Sequence, residues 1–516
     1  MQKQIITSAI ALTLFGCGGG ESGNSGTPTP PPVKNYTISF LGTDFQATTG
    51  NCQIFGYGPE KANGERERVI AFKTQPSTRI YEVFIHNADG TVRQHFRGSD
   101  LNTQQLRFAQ NKIPNDGYLS FAYIQNTGGK TTLDVTTFEK SVLPESFSIE
   151  TRVDRRADSC LDSSSANPQT QKIKGYIERR PANFLLSGFN TPYQNLNEIT
   201  EFYQLNNPDT NPIEFHSQQR PLLAINYETD SDGKVIKSIL GFKFTPYLQR
   251  GSNSSPIKLE PVDPVNGTWL KPYSWTIDNA FIFVNGKESL PSANYAYLWQ
   301  PLVQAGEIIN DQFSYSKEKI GDDNYYFYLE GQQDANGHSH YWGIQNVAQG
   351  TTNQGTIIDT QTLLDQIQIP QAEAPQLGSC TDENRQCILI NTGDLSSNAG
   401  IQRVAFSAQS ESDQPKHFIK QVFYTTIQDE LPILSFNRTG LEAGLDSNSV
   451  NSRISLLISN SKEVKEAFLY QHQTFEPERL SDLNIDYLPL LKNIAAQQDQ
   501  QDLLKRQPYT WVWLEE

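Results

Sequence analysis

The sequence predicts a mainly β protein built of tandem antiparallel β-sandwich-like domains, of the immunoglobulin or fibronectin sort, with a few helices, the best near the C-terminus. Three observations carry this reading. Apolar and polar side chains alternate with period two along many short runs. Turn residues, often with glycine, separate those runs. Apolar content of 36% with 11% aromatics supplies packed cores, whereas a mean hydropathy of -0.54 excludes a multispanning helical protein.

In chain order, the first strong strand is 80–86, where Tyr81, Val83 and Ile85 share one face. Asp89-Gly90 supplies a turn with positive φ, and 91–96 returns antiparallel. That register sets Val83 against Phe96 and Asn87 against Val92. Strands follow at 117–126 and, across Thr127-Gly128-Gly129-Lys130, at 131–138. In the middle of the chain, 222–227 and 235–244 form a hairpin about Asp230-Ser231-Asp232-Gly233. Further strands fall at 280–284, 295–300 and 325–329, then at 402–407 and 418–426. Residues 488–506 read as a helix, with Pro489 in its first turn and Leu490, Leu491, Ile494 and Ala495 on one stripe. The chain closes on a strand at 508–514. Val83-Phe84-Ile85 before Ser99-Asp100-Leu101-Asn102 is matched by Phe468-Leu469-Tyr470 before Ser481-Asp482-Leu483-Asn484, which raises a duplicated sandwich as one option.

Residues 5–15 form an apolar run preceded by Lys3 and interrupted by Thr7, Ser8 and Thr13. It is too short to cross ~30 Å of hydrocarbon as a helix and suits a signal segment. Leu14-Phe15-Gly16-Cys17 closes it, and this tetrapeptide resembles the lipobox of bacterial lipoproteins, with Phe15 larger than the residue usual there. The resemblance implies cleavage before Cys17 and a covalent N-acyl diacylglycerol group, palmitate included, on that cysteine; no other cofactor is expected. By the same resemblance, Gly18 after the cysteine implies release to the outer membrane, with the leaflet left open. Residues 18–33 carry one charge, Glu21, and no large apolar side chain before Val33. They read as a tether reaching ~20–25 Å.

Setting Cys17 aside leaves Cys52, Cys160, Cys380 and Cys387, an even set suited to an oxidising compartment. Of three possible pairings, Cys52 with Cys160 and Cys380 with Cys387 are favoured, the second closing a short polar loop. By loop-closure entropy they contribute roughly 5 and 2–3 kcal/mol respectively. The spacings exclude a CxxC redox centre and a four-cysteine zinc site. At 516 residues the chain exceeds one core. Its expected division is a signal peptide at 1–16, a tether at 17–34, a β-sandwich domain at 35–175, a β-rich middle domain at 176–368, a linker at 369–378 and a β-rich C-terminal domain with helix at 379–516.

The net charge of -15 repels phosphate backbones, so nucleic acid is not an expected partner. A basic stretch from Arg152 to Arg180 is interleaved with Asp154, Asp158, Asp162 and Glu178 and reads as a solvated face. His338 and His340 lie on one side of a strand and offer a shared metal site with Asp322, Asp323 or Asp334. The preferred reading is a polar hairpin tip about Asn336-Gly337, and no metal is assigned. His86 and His95 read as outward and solvated, with Arg93 opposite His86. Ile239 stands where an EF-hand counted from Glu228 needs its glutamate, so 230–233 reads as a plain turn. The chain lacks G-x-S-x-G, H-E-x-x-H and Walker A motifs, and its S-x-x-K matches lack companion elements; no catalytic residue is assigned. Tyr509, Trp511 and Trp513 alternate on one face of the last strand and offer an aromatic contact surface, while Val512 and Leu514 opposite favour a buried strand.

These readings lead to a non-catalytic, outer-membrane-anchored lipoprotein with a structural, adhesive or binding role at the cell envelope. It would meet the membrane through its lipid and a protein or glycan partner through its folded part. One alternative is a periplasmic or surface enzyme acting on carbohydrate or peptidoglycan, whose mark would be a buried cleft with two converging acidic side chains. The other is a coat protein of a membrane-sheathed surface appendage.

Overall fold

Strands with apolar side chains on both faces need cover on both sides and partners on both edges. In the computed structural model that demand produces a 13-stranded sheet. The described residues are 33–46, 50–60, 66–76, 80–101, 103–151 and 153–162; in the middle, 171–175, 183–187, 202–203, 213–217, 222–229, 236–245, 260–261, 265–270, 276–285, 296–310, 312–315, 324–335, 338–347, 351–352 and 355–359; and 375–515 apart from 382–384, 393–394, 396–398, 412–416 and 471–489. Cys17 and the expected tether up to residue 32 lie outside them, as does the turn at 230–235.

From one edge to the other, the large sheet runs Glu307–Ile308, Ala296–Gln304, Thr276–Asn285, Tyr325–Ala335, His338–Val347, Tyr509–Glu515, Asn451–Ile458, Gly400–Gln409, His417–Thr426, Lys130–Glu139, Tyr118–Thr127, Tyr81–His86 and Val92–Phe96. Neighbours are antiparallel except at one join, where His417–Thr426 runs parallel to Lys130–Glu139. The fold is therefore mainly β, with several antiparallel sheets and few helices. Strands from the three segments expected as separate domains hydrogen-bond into one ladder, and Asn35–Glu516 forms a single compact unit. Joining them removes the unpaired edges that separate sandwiches would leave.

Alternation decides what each face touches. Val83, Ile85, Leu119, Phe121 and Val422 point into one core. The same core holds Ile38 and Phe40 of Asn35–Gln46, Phe147 of Ser146–Glu150, and Phe242 of Ile236–Thr245. Phe84, Ala122, Leu133, Val135, Val404 and Phe423 point the other way, against Ile388, Leu431, Leu434, Phe436 and Leu441. The sheet is thus a covered middle layer, sandwich-like on each side. The expected middle hairpin forms as Leu222–Thr229 with Ile236–Thr245, setting Leu223 opposite Phe244 and Ile225 opposite Phe242.

Local departures from the sequence reading have local causes. The first hairpin keeps Val83 opposite Phe96, but a bulge after Ile85 sets His86 rather than Asn87 opposite Val92. The C-terminal helix is Ile494–Leu504, shorter than expected, because the Asn493 side chain accepts from the Ala496 amide (3.0 Å) and caps it there. Leu490–Leu491 instead forms a short strand against Ser146–Glu150. Phe468 to Tyr470 belong to the helix Lys462–Tyr470, whereas Val83 to Ile85 are strand, so the two do not repeat one structure. The matched residues 481–484 lie outside the described ones.

Candidate functional site

A cleft of about 570 Å³ opens where the first hairpin turn, the Cys380–Cys387 loop and residues 433–444 meet. The turn forms because Asp89 organises it: its carboxylate accepts from the Thr91 amide (2.9 Å) and the Thr91 hydroxyl (2.6 Å). Gly90 has φ +82, and a Cβ there would stand 2.8 Å from the Ile433 carbonyl oxygen. Glycine alone permits both that conformation and that approach. In return the Gly90 carbonyl accepts from the Ser435 amide at 3.0 Å, fastening the 433–444 segment to the turn.

The opposite wall is the hairpin Gln376–Ser379 with Gln386–Leu389, closed by the Cys380–Cys387 disulfide (Cα–Cα 5.0 Å). Arg385, inside that loop, donates to the Asp89 carbonyl oxygen. The Gln386 amide side chain binds the Leu445 backbone twice, donating to its carbonyl (3.0 Å) and accepting from its amide (2.8 Å). Leu434 and Leu441 give the cleft an apolar floor, and exposed Glu411 and Glu442 stand at its rim. Ser435 donates its hydroxyl to Glu442 at 2.5 Å.

Burial works against ionising Asp89, but the Thr91 hydrogen bonds and the Arg385 charge outweigh it and hold the carboxyl below its usual range. The cleft therefore presents carboxylates of Asp89, Glu411 and Glu442 against one guanidinium. Its hydroxyls, on Thr91 and Ser435, are bonded to carboxylates, and no histidine, cysteine or lysine is among its lining residues. Such an arrangement can hold a polar or cationic group. Acid–base hydrolysis asks instead for a desolvated carboxylic acid facing a second carboxylate, and Glu411 and Glu442 are exposed.

Behind the cleft lies a cluster that the sequence reading placed in solvent. His86 is fully buried, edge-on to Phe436 (5.5 Å) and beside Phe84 (5.8 Å). Burial pushes its pKa down to about 3, the nearby His95 adding to the effect against a favourable backbone contact at Gly90. His95 is half-buried, stacked 4.1 Å from the Phe84 ring, with Nε2 3.0 Å from Glu82. Arg438 reaches the same carboxylate at 3.2 Å. Burial opposes ionisation of Glu82, but His95 and Arg438 together lower its pKa. Arg93, expected opposite His86, is the extra residue of the bulge and donates to Asn87 at 3.5 Å. The solvated-face reading fails because this face of the hairpin is covered by Phe436 and its neighbours.

The other sequence candidates fall as follows. Cys52 bonds Cys160 (Cα–Cα 5.6 Å) and Cys380 bonds Cys387, the pairing that loop spacing favoured. His340 is buried in the sheet between Gln333 and Leu514; the His338 side chain lies outside the described ones, as do Asp322 and Asp323. Among the described residues, the group that brings three metal-ligating side chains together is Cys380, Cys387 and Glu430, whose sulfurs are already joined. Tyr509, Trp511 and Trp513 are buried, flanked by His338–Val347 and Asn451–Ile458. They are core residues rather than a contact surface, because their strand is central in the sheet. Arg385, Gln386, Glu411 and Glu442 were not singled out from the sequence; the position of Arg385 inside a disulfide loop was the available signal. No family model, curated protein or solved structure matches the chain.

Proposed function

We propose that the protein is a lipoprotein anchored through Cys17 to the outer membrane, whose folded unit binds a protein or glycan partner at the cell envelope without catalysing a reaction. The observation that carries this reading is the cysteine arithmetic. Four of five cysteines close two disulfides, which suits an oxidising compartment and leaves Cys17 with no cysteine partner in the chain. The cleft at Asp89, Arg385 and Glu442 supports binding: its walls are fixed by a disulfide, a glycine turn and backbone hydrogen bonds, so little ordering is left for a partner to impose.

The test pairs acyl labelling with in-cell crosslinking. Labelling lost in Cys17→Ser supports the anchor, and persistent labelling refutes it. Recovery of a defined partner, lost in the Glu411→Arg, Glu442→Arg double variant, supports binding at the cleft. Crosslinks unchanged in that variant refute the cleft as the site. The enzymatic alternative rests on three carboxylates lining one cleft. Release of soluble sugars from peptidoglycan or polysaccharide, lost in Glu442→Gln, would replace the binding reading.

A further inference from the structure

Residues 433–444, one wall of the large cleft, run as a strap between two fixed ends. Just before them Glu430–Pro432 pairs with Gln386–Leu389, and just after them Leu445 bridges Ser410 and is bound twice by the Gln386 side chain. None of these bonds involves a histidine ring. Between its ends the strap is fastened to the first hairpin at four successive residues. The Ser435 amide donates to the Gly90 carbonyl (3.0 Å), and the Phe436 ring stands edge-on to His86 (5.5 Å) and Phe84 (5.3 Å). Asn437 takes the left-handed backbone conformation (φ +55), with Nδ2 3.4 Å from His95 Nδ1. Arg438 reaches Glu82 at 3.2 Å. Three of the four fastenings therefore meet one small cluster of His86, His95 and Glu82.

That cluster has no place for another positive charge. His86 is fully buried, and beyond the Gly90 backbone contact neither ring nitrogen has a hydrogen-bond partner. The carboxylates on the elements around it are engaged: Glu82 by His95 and Arg438, Asp89 of the turn by Thr91, and Glu442 of the strap by Ser435. On the neighbouring strand Tyr118 lies opposite His86, kept neutral because burial raises its pKa, and Glu139 beyond it accepts from Thr426 at 2.7 Å. The remaining charged groups, Arg93, Arg385 and Arg438, are cations, and His95 acts in the same sense. An imidazolium at His86 would be a buried charge without a counter-ion, so it must reach water. The strand that carries His86 is paired on both edges, with Val92–Phe96 and with Tyr118–Thr127. The side that can give way is the strap, whose ends hold independently.

We propose that residues 433–444 are an acid-released strap: a proton on His86 displaces Phe436, frees the segment between its two ends and opens one wall of the large cleft. The device goes beyond the binding reading above, and its test uses no partner, so its failure leaves that reading standing. The test is hydrogen exchange followed by mass spectrometry on the full-length protein in detergent at about pH 7 and about pH 5, corrected for the intrinsic rate at each. Peptides covering Ser435 and residues 441–444, whose amides are bonded in the closed strap, report its opening, and Gly400–Gln409 reports the sheet. With a histidine pKa of 6.5 in the open form and about 3 in the closed one, the opening constant of the strap should rise about 25-fold between the two conditions, the sheet staying unchanged. His86→Leu should abolish the rise. Phe436→Ala, which removes the cover, should leave the strap exchanging fast at both pH values and keeps the test decisive if His86→Leu fails to fold. No rise in the native protein, an equal rise in Gly400–Gln409, a rise that survives in His86→Leu, or an unaltered rise in Phe436→Ala would each overturn the proposal.

Discussion

His86 gives the folded protein an acid sensitivity of calculable size. Burial lowers its pKa from 6.5 to about 3. Between those values the unfolded chain binds a proton that the folded chain excludes, so the contribution of His86 falls as pH drops below 6.5 and levels off below about 3. The whole difference corresponds to roughly 5 kcal/mol, of which about 2 kcal/mol is lost by about pH 5. In that upper window Glu82 and Asp89, both with lowered pKa values, stay ionised and contribute little slope. His86→Leu removes the titrating group, keeps a similar volume against Phe84 and Phe436, and should alter stability near neutral pH by less than about 1.5 kcal/mol. Urea unfolding followed by tryptophan fluorescence checks the difference. The variant should gain about 2 kcal/mol on the native protein between neutrality and about pH 5. Parallel pH curves for the two proteins would refute the burial argument.

Two further perturbations test how the sheet is held together. A Cβ on Gly343 would collide with the Trp511 indole, so Gly343→Ala should cost about 2 kcal/mol or more and shift tryptophan emission, with Trp511→Leu restoring part of the loss in thermal melts. At the parallel join, Gln421 donates to the Thr137 hydroxyl at 2.8 Å, and that hydroxyl also pairs with Ser120 at 2.9 Å. Thr137→Val strands the Gln421 amide and should cost about 1–3 kcal/mol in urea unfolding, whereas adding Gln421→Leu should recover much of it.

What the sequence discloses is what lies within one run of residues. Period-two alternation and Asp89-Gly90 set Val83 opposite Phe96, because the turn and the pattern act over the same few residues. Four cysteines with one short loop disclosed both disulfides. The parallel join was illegible because alternation in 130–139 and 417–426 is compatible with any partner of the same period. His86 was misread as solvated although Phe84, on its own face, is an apolar side chain that also needs cover. The helix start was misread because Leu490 and Leu491 satisfy a helical stripe and a strand equally well, and the cap at Asn493 decides between them. Each wall of the large cleft is an ordinary polar turn or loop in sequence; only the fold brings them together.

The position of the last strand bears on where a partner can bind. Tyr509–Glu515 pairs on one side with His338–Val347 and on the other with Asn451–Ile458, linking the middle of the chain to its C-terminal segment. A strand in that place has two paired edges and two covered faces, so its tryptophans stabilise the sheet and are withheld from the surface. The same holds for the strands around the parallel join, whose two faces enter separate cores. Polar groups that no ladder consumes lie instead at the rims, on turns and strand ends. Two clefts are built there, the large one by a hairpin turn and a disulfide loop, and a second of about 280 Å³ by strand ends and the start of the helix Lys462–Tyr470. They differ in charge, the first lined by three carboxylates and the second by none, so a single ligand chemistry does not suit both. The two share no lining residue, so substitutions in one should leave the other's walls intact in thermal melts and in hydrogen exchange.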